Sequence, residues 1–133
     1  MNRRILVSAL AALGIAATMI LSSCTPEEQA AFVKIYNERK ASDKFASAIS
    51  DAGLARLRAC ESGGRYDIVS SGGSYRGAYQ FTQGTWNSTA SAHYPWLVGV
   101  DPAKADPFDQ DRMTRALWAT GGPQNWPVCS RRV

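Results

Sequence analysis

The chain has 133 residues, 45% hydrophobic and 20% charged, with 15 Lys and Arg against 11 Asp and Glu and a formal charge of +4. That length allows one small domain once an N-terminal targeting segment is set aside. Outside the N-terminus, Arg131-Arg132 cluster at the very end, too little for a nucleic-acid footprint, so no nucleic-acid partner is expected.

Asn2-Arg3-Arg4 supplies a positive start, and Ile5 to Leu21 is uncharged and mostly apolar. The run is shorter than the roughly 20 residues of a spanning helix. It ends in Leu21-Ser22-Ser23-Cys24, which resembles the lipobox of bacterial lipoproteins. That resemblance implies a signal peptide over residues 1–23 and a diacylglycerol on the Cys24 thiol. The protein would then be exported and tethered to the outer face of the membrane, or secreted if not lipidated. An uncleaved N-terminal anchor is the other reading. Loss of Arg3 and Arg4 leaves 13 basic against 11 acidic residues, a net charge of +2.

Residues 24–50 read as a mostly helical spacer, or as an extra helix docked on the domain. Thr25, Pro26 and Glu28 form a T-x-x-E capping box with Pro at the first helical position, predicting a helix to about Lys40. The domain proper is placed at residues 51–133. Leu54 to Ser62 reads as a short helix stopped by Gly63-Gly64. Tyr66–Val69 and Tyr75–Phe81 lean towards β and flank Ser70-Ser71-Gly72-Gly73, predicting a hairpin. Thr82 should cap a helix to about Ala92 with Trp86 facing inward. Asp106 and Pro107 start the clearest helix, with Met113, Ala116, Leu117 and Thr120 as its buried face, and Gly121-Gly122-Pro123 ends it. The expected class is therefore α+β, mostly α, with one β-hairpin and one disulfide.

Cys60 and Cys129 remain as a pair once Cys24 is lipidated, as an oxidising compartment favours. A bridge between them would close a loop of roughly seventy residues, worth roughly 4 kcal/mol. Two buried free thiols are the other reading.

The chemistry centres on Glu61. At about 100° per residue, with Leu54 at zero, Leu57 falls at about −60° and Glu61 at about −20°. The carboxyl thus shares the leucine stripe, while Arg56 and Arg58 are read as lying off it. Desolvation and the negative end of the helix dipole would both raise its pKa, the condition for a general acid near neutral pH. A surface carboxylate paired with Arg58 or Arg65 is the bland reading. Tyr75 and Trp126, beside glycines or in loops, are candidate ligand-stacking platforms, whereas Trp86 and Trp118 read as core. His93 is the only histidine, no Cys/His spacing suggests a metal, and Ser62 lacks a nucleophile elbow. No cofactor is implied.

Three segments in order, "CESGG" at Cys60–Gly64, "GAYQFTQGTW" at Gly77–Trp86 and "NWPVCS" at Asn125–Ser130, resemble the transglycosylase-like domain of resuscitation-promoting factors. The resemblance implies a lysozyme-like fold that cleaves the MurNAc-GlcNAc bond of peptidoglycan, with a role in resuscitation or growth. It makes Glu61 the catalytic acid, Cys60–Cys129 the family disulfide, and Gln80, Thr85 and the aromatic positions the sugar cleft. It allows a peptidoglycan endopeptidase as partner. Arg76 and Tyr79 depart from the family's usual Tyr-Gly-Gly-aliphatic pattern, and residues 90–107 form a longer connection than usual. A second carboxylate would come from Asp67, Asp101, Asp106, Asp109 or Asp111, the last three of which read as helix-start residues. The substrate's N-acetyl group could replace it. A non-catalytic glycan-binding or signalling lipoprotein is the competing class.

Overall fold

The computed structural model describes residues 25–133; the expected signal peptide over residues 1–23 and Cys24 lie outside them. Helix α1, Pro26–Ala41, starts on the expected capping box. The Thr25 hydroxyl accepts from the Glu28 amide at 3.2 Å, and Glu28 returns a bond to the Thr25 amide at 2.7 Å. It buries none of its residues, and Phe32 and Ile35 stay about half exposed. No helix among the described residues is long and apolar enough to cross a membrane.

Residues Asp43–Val133 form a separate compact unit, which begins ahead of the boundary expected near Asp51. Its helices are α2 (Asp51–Ser62), α3 (Gln83–His93) and α4 (Pro107–Gly121), with single 3-10 turns at Pro95–Leu97, Pro123–Asn125 and Cys129–Arg132. Each α-helix begins on a side chain that accepts a backbone N–H: Ser50 from Gly53, Thr82 from Thr85, Asp106 from Phe108. Leu54 and Leu57 of α2, Trp86 and Ala90 of α3, and Met113 and Ala116 of α4 meet in the core with Tyr79, Phe81, Tyr94 and Trp126. Trp86 satisfies its indole N–H on the Leu97 carbonyl at 2.9 Å. His93 ends α3 with its ring edge-on to Phe45.

The expected hairpin is absent, so the unit is helical rather than α+β. Among the described residues there is no strand, only the single antiparallel bridges Val69↔Arg76 and Arg76↔Phe81. The reason lies in residues 77–80. Gly77 (φ 78°) and Gln80 (φ 54°) are left-handed, so the chain turns where the second strand would run. Arg76 consequently exchanges both backbone bonds with Phe81, at 2.9 and 3.0 Å, across that turn. Gly77, Ala78 and Tyr79 are buried consecutively, without the alternation a strand requires. Their β-leaning composition reports burial in an irregular segment.

The interior face of α4 is also broader and more polar than apolar periodicity predicts. Gln110 and Arg112–Ala116 are buried, while Thr120 is exposed and bonds back to the Ala116 carbonyl. Arg115 is 3% exposed and donates to Asp43 at 3.0 Å, Asp51 at 2.5 Å and the Ile49 carbonyl at 3.3 Å. Asp43 in turn accepts from the Tyr94 hydroxyl at 3.1 Å. A buried guanidinium with this many acceptors is compensated, and it fastens residues 43–51 to the helices.

Candidate active site

The last turn of α2 carries Glu61 and is held from several sides. Gly63 adopts φ 65° and Gly64 φ 86°, conformations that favour glycine, and their N–H groups return to the Ala59 and Arg58 carbonyls. The Ser62 hydroxyl also donates to the Arg58 carbonyl, at 3.0 Å. Beside Glu61, Cys60 is disulfide-bonded to Cys129, which joins this turn to the final 3-10 turn. A Cβ built on Gly63 or Gly64 would meet nothing within 4 Å, so the side just past the helix end is open.

Glu61 itself is half-buried, and burial raises its pKa above the ordinary carboxylate range. Among the described residues no hydrogen bond or ion pair holds its carboxyl. The neighbouring arginines are committed elsewhere, Arg58 to Asp111 and Arg65 to Asp67. The other side-chain carboxyls of this unit are all engaged. Asp43 and Asp51 bind Arg115, Asp67 binds Arg65, and Asp101 binds Arg76. Asp106 caps α4, Asp109 pairs with Arg112, and Asp111 accepts from two tyrosines. Glu61 is the exception: a half-buried acid with no protein partner. Partial burial without a partner is the arrangement that raises a carboxyl's pKa and marks a candidate functional group.

Tyr75, Gln80, Thr85 and Trp126 line one open groove, together with Tyr79 and Asn125. Their environments differ. Tyr75 is 52% exposed, whereas Trp126 is 4% exposed, stacks on Trp118 at 5.8 Å and donates its indole N–H to the Tyr79 carbonyl at 2.9 Å. Trp126 is thus a fixed wall and Tyr75 an accessible ring. The Gln80 amide nitrogen bonds the Gly77 carbonyl at 2.9 Å, which supports a left-handed backbone costing on the order of 1 kcal/mol. Strain of this kind, in a non-glycine residue beside a groove, is characteristic of functional sites. The Thr85 hydroxyl accepts from Thr82 at 3.0 Å. Glu61 is not among the residues lining this groove.

Sequence reasoning missed a polar cluster beside the site. One oxygen of Asp111 accepts from Tyr79 at 2.6 Å and Tyr66 at 2.9 Å, and lies 3.4 Å from Arg58, which also donates to the Tyr79 hydroxyl at 2.9 Å. The Arg58 guanidinium stacks over the Tyr66 ring at 4.9 Å. Burial raises the pKa of Asp111, opposed by the tyrosine bonds and Arg58. Burial and the Asp111 charge push both tyrosine hydroxyls far above the phenol range, so they stay neutral donors. Arg58 lies at about +40° on the α2 wheel, at the edge of the leucine stripe rather than off it. Asp111 is one turn past the helix start and faces inward. The wheel position of Arg58 was the available signal.

Arg76, a departure from the expected motif, grips Asp101 of the long connection with two bonds, at 2.7 and 2.5 Å. That fork holds Asp101 below the usual carboxylate range. Two departures from the pattern, an arginine in the motif and extra loop residues, therefore meet in one ion pair.

The model of the transglycosylase-like domain matches residues 48–129. The chain belongs to the transglycosylase-like domain family. Among curated proteins it is similar to a probable transglycosylase SceD of Staphylococcus epidermidis, 41% identical over 73 residues, or 55% of this chain and 32% of that protein. A probable transglycosylase SceD of Staphylococcus aureus is 38% identical over 89 residues, 67% of this chain and 37% of the relative. The chain thus spans about a third of the length of the curated relatives it matches.

Proposed function

We propose that the Asp43–Val133 unit cleaves the MurNAc-GlcNAc bond of peptidoglycan glycan strands, with Glu61 as the general acid and then the base. The observation that carries this reading is the half-buried Glu61 carboxyl, the one acidic side chain of the unit without a partner, within a chain of the transglycosylase-like family. A raised pKa keeps the proton available for the glycosidic oxygen as the C–O bond breaks. The substrate's N-acetyl group then stabilises the oxocarbenium centre, which makes a second carboxylate unnecessary. The Glu61 carboxylate next takes a proton from whichever hydroxyl attacks: the muramic C6 hydroxyl, giving an anhydro product, or water, giving hydrolysis. Similarity to probable transglycosylases favours the first course. Tyr75 would stack on a pyranose face, Gln80 and Thr85 would bind sugar hydroxyls or amides, and Trp126 would form the wall behind them.

In this reading residues 1–23 direct export, lipidated Cys24 tethers the protein outside the membrane, and α1 forms part of the spacer. A peptidoglycan endopeptidase is a partner that such an enzyme would suit, and resuscitation or growth a role. A binding function without turnover draws on one observation, that Glu61 does not line the groove. Glu61→Gln separates the two. The variant should bind insoluble peptidoglycan as wild type does but release soluble muropeptides at least about 10²-fold more slowly. Wild-type release by Glu61→Gln would refute the acid assignment. Mass spectrometry of the wild-type products for anhydro-muramic ends decides between the two courses.

A further inference from the structure

The Arg58–Tyr66–Tyr79–Asp111 cluster is built from four segments and is not needed to explain the acid or the groove. It is central to the connections of both. Arg58 lies one turn before Glu61, and its carbonyl accepts from Ser62 and Gly64, the residues that close the turn around Glu61. Its guanidinium is held by the Tyr79 hydroxyl, the Tyr66 ring and Asp111. Tyr79 reaches the other way. The residue borders the groove, its carbonyl takes the indole N–H of Trp126, and it precedes the left-handed Gln80. Asp111 is the shared acceptor, and α4 supplies it from the second turn of a helix anchored in the core.

We infer that Asp111 is a positioning residue: through Arg58 and Tyr79 it fixes the Glu61-bearing turn of α2 relative to the groove that holds the glycan. The inference rests on the proposed role of Glu61. Two acceptor bonds from neutral tyrosines and one charged contact make a rigid node, because no single member can rotate without leaving another unsatisfied. Misplacement of an acid by about 1 Å can lower a rate on the order of 10²-fold without weakening binding.

The test is steady-state kinetics on soluble glycan strands with purified protein carrying Asp111→Ala, Asp111→Asn or Tyr79→Phe, beside Glu61→Gln. Asp111→Ala should lower kcat by about 10- to 100-fold and leave KM within about 2-fold. Asp111→Asn, which keeps an oxygen for the tyrosine hydroxyls, should recover part of that loss. Unchanged kcat in a folded Asp111→Ala variant, or a raised KM with unchanged kcat, would overturn the inference. If Asp111→Ala does not fold, Tyr79→Phe decides, because it removes one hydroxyl and keeps the ring. It should lower kcat several-fold with KM unchanged, and wild-type kcat in it would overturn the inference. Glu61→Gln inactive beside a fully active Asp111→Ala sinks the positioning role alone. Glu61→Gln with wild-type turnover sinks the acid assignment and this inference with it.

Discussion

Replacing both Cys60 and Cys129 by alanine removes a crosslink between residues 69 apart in sequence. The chain-entropy relation for a loop of about 70 residues gives a stabilisation of about 4 kcal/mol at 25 °C. The Asp43–Val133 unit has roughly 90 residues, so its unfolding entropy is about 0.19 kcal/mol/K and the loss lowers Tm by about 20 °C. Cys129 is buried and Cys60 half-buried, so the truncation also leaves a small void, which adds to the loss. Differential scanning calorimetry of the double variant and the wild type measures the shift directly. A drop below about 5 °C would refute the reasoning, since both contributions have the same sign. There is a functional corollary. Cys60 adjoins Glu61, so at about 15 °C, with the variant still folded, muropeptide release should fall more than peptidoglycan binding does.

Two further predictions concern the site and its support. Burial raises the pKa of Glu61, so ionised Glu61 is penalised in the folded state. Its favourable contribution is complete below the unfolded value of about 4.3 and is lost as pH rises through the folded one. Glu61→Gln should therefore raise Tm at neutral pH and leave it unchanged near pH 3, and an equal or lower Tm at neutral pH contradicts this sign. Gly77 has φ 78°, and a Cβ there would lie 2.5 Å from the Gln110 amide oxygen and 2.9 Å from the Pro102 carbonyl. Gly77→Ala should cost about 2–4 kcal/mol in urea denaturation, and a loss under about 1 kcal/mol would show that the turn relaxes freely.

The features legible in the sequence are those set by neighbours along the chain. Thr25 with Glu28, Thr82, Asp106-Pro107 and Gly63 all mark helix ends through bonds spanning only a few residues. The leucine stripe placed Glu61 on the inner side of α2 by the same local logic, and the half-burial of its carboxyl follows from it. The hidden features depend on distant partners. Arg115 reads as a solvent-facing charge until Asp43, 72 residues away, is seen beside it. Gln110 reads as polar surface, yet it accepts from the Ala78 amide and donates to the Tyr66 and Ala105 carbonyls. The bonds to Ala78 and Tyr66 use a donor and an acceptor of the expected strands, so one buried glutamine helps turn an expected strand into a turn. Asp111 was hidden for the same reason: its donors come from residues 66 and 79.

A buried polar group normally survives because its partners offset its desolvation. Gln110, Arg115, Asp43 and Asp111 follow that rule, each satisfied by two or more partners from distant parts of the chain. Glu61 is only half-buried and has no protein partner among the described residues, within a turn otherwise tied by a disulfide, two glycine caps and Arg58. The fold thus fixes the backbone of this residue while leaving its carboxyl unbound. A surface acid would move freely and hold no raised pKa, and a paired acid would be ionised and spent on its partner. The combination found here, a fixed backbone with a carboxyl free of protein partners, is what the proposed general acid would require. That combination is what Glu61→Gln should convert from a stability cost into a gain while abolishing release.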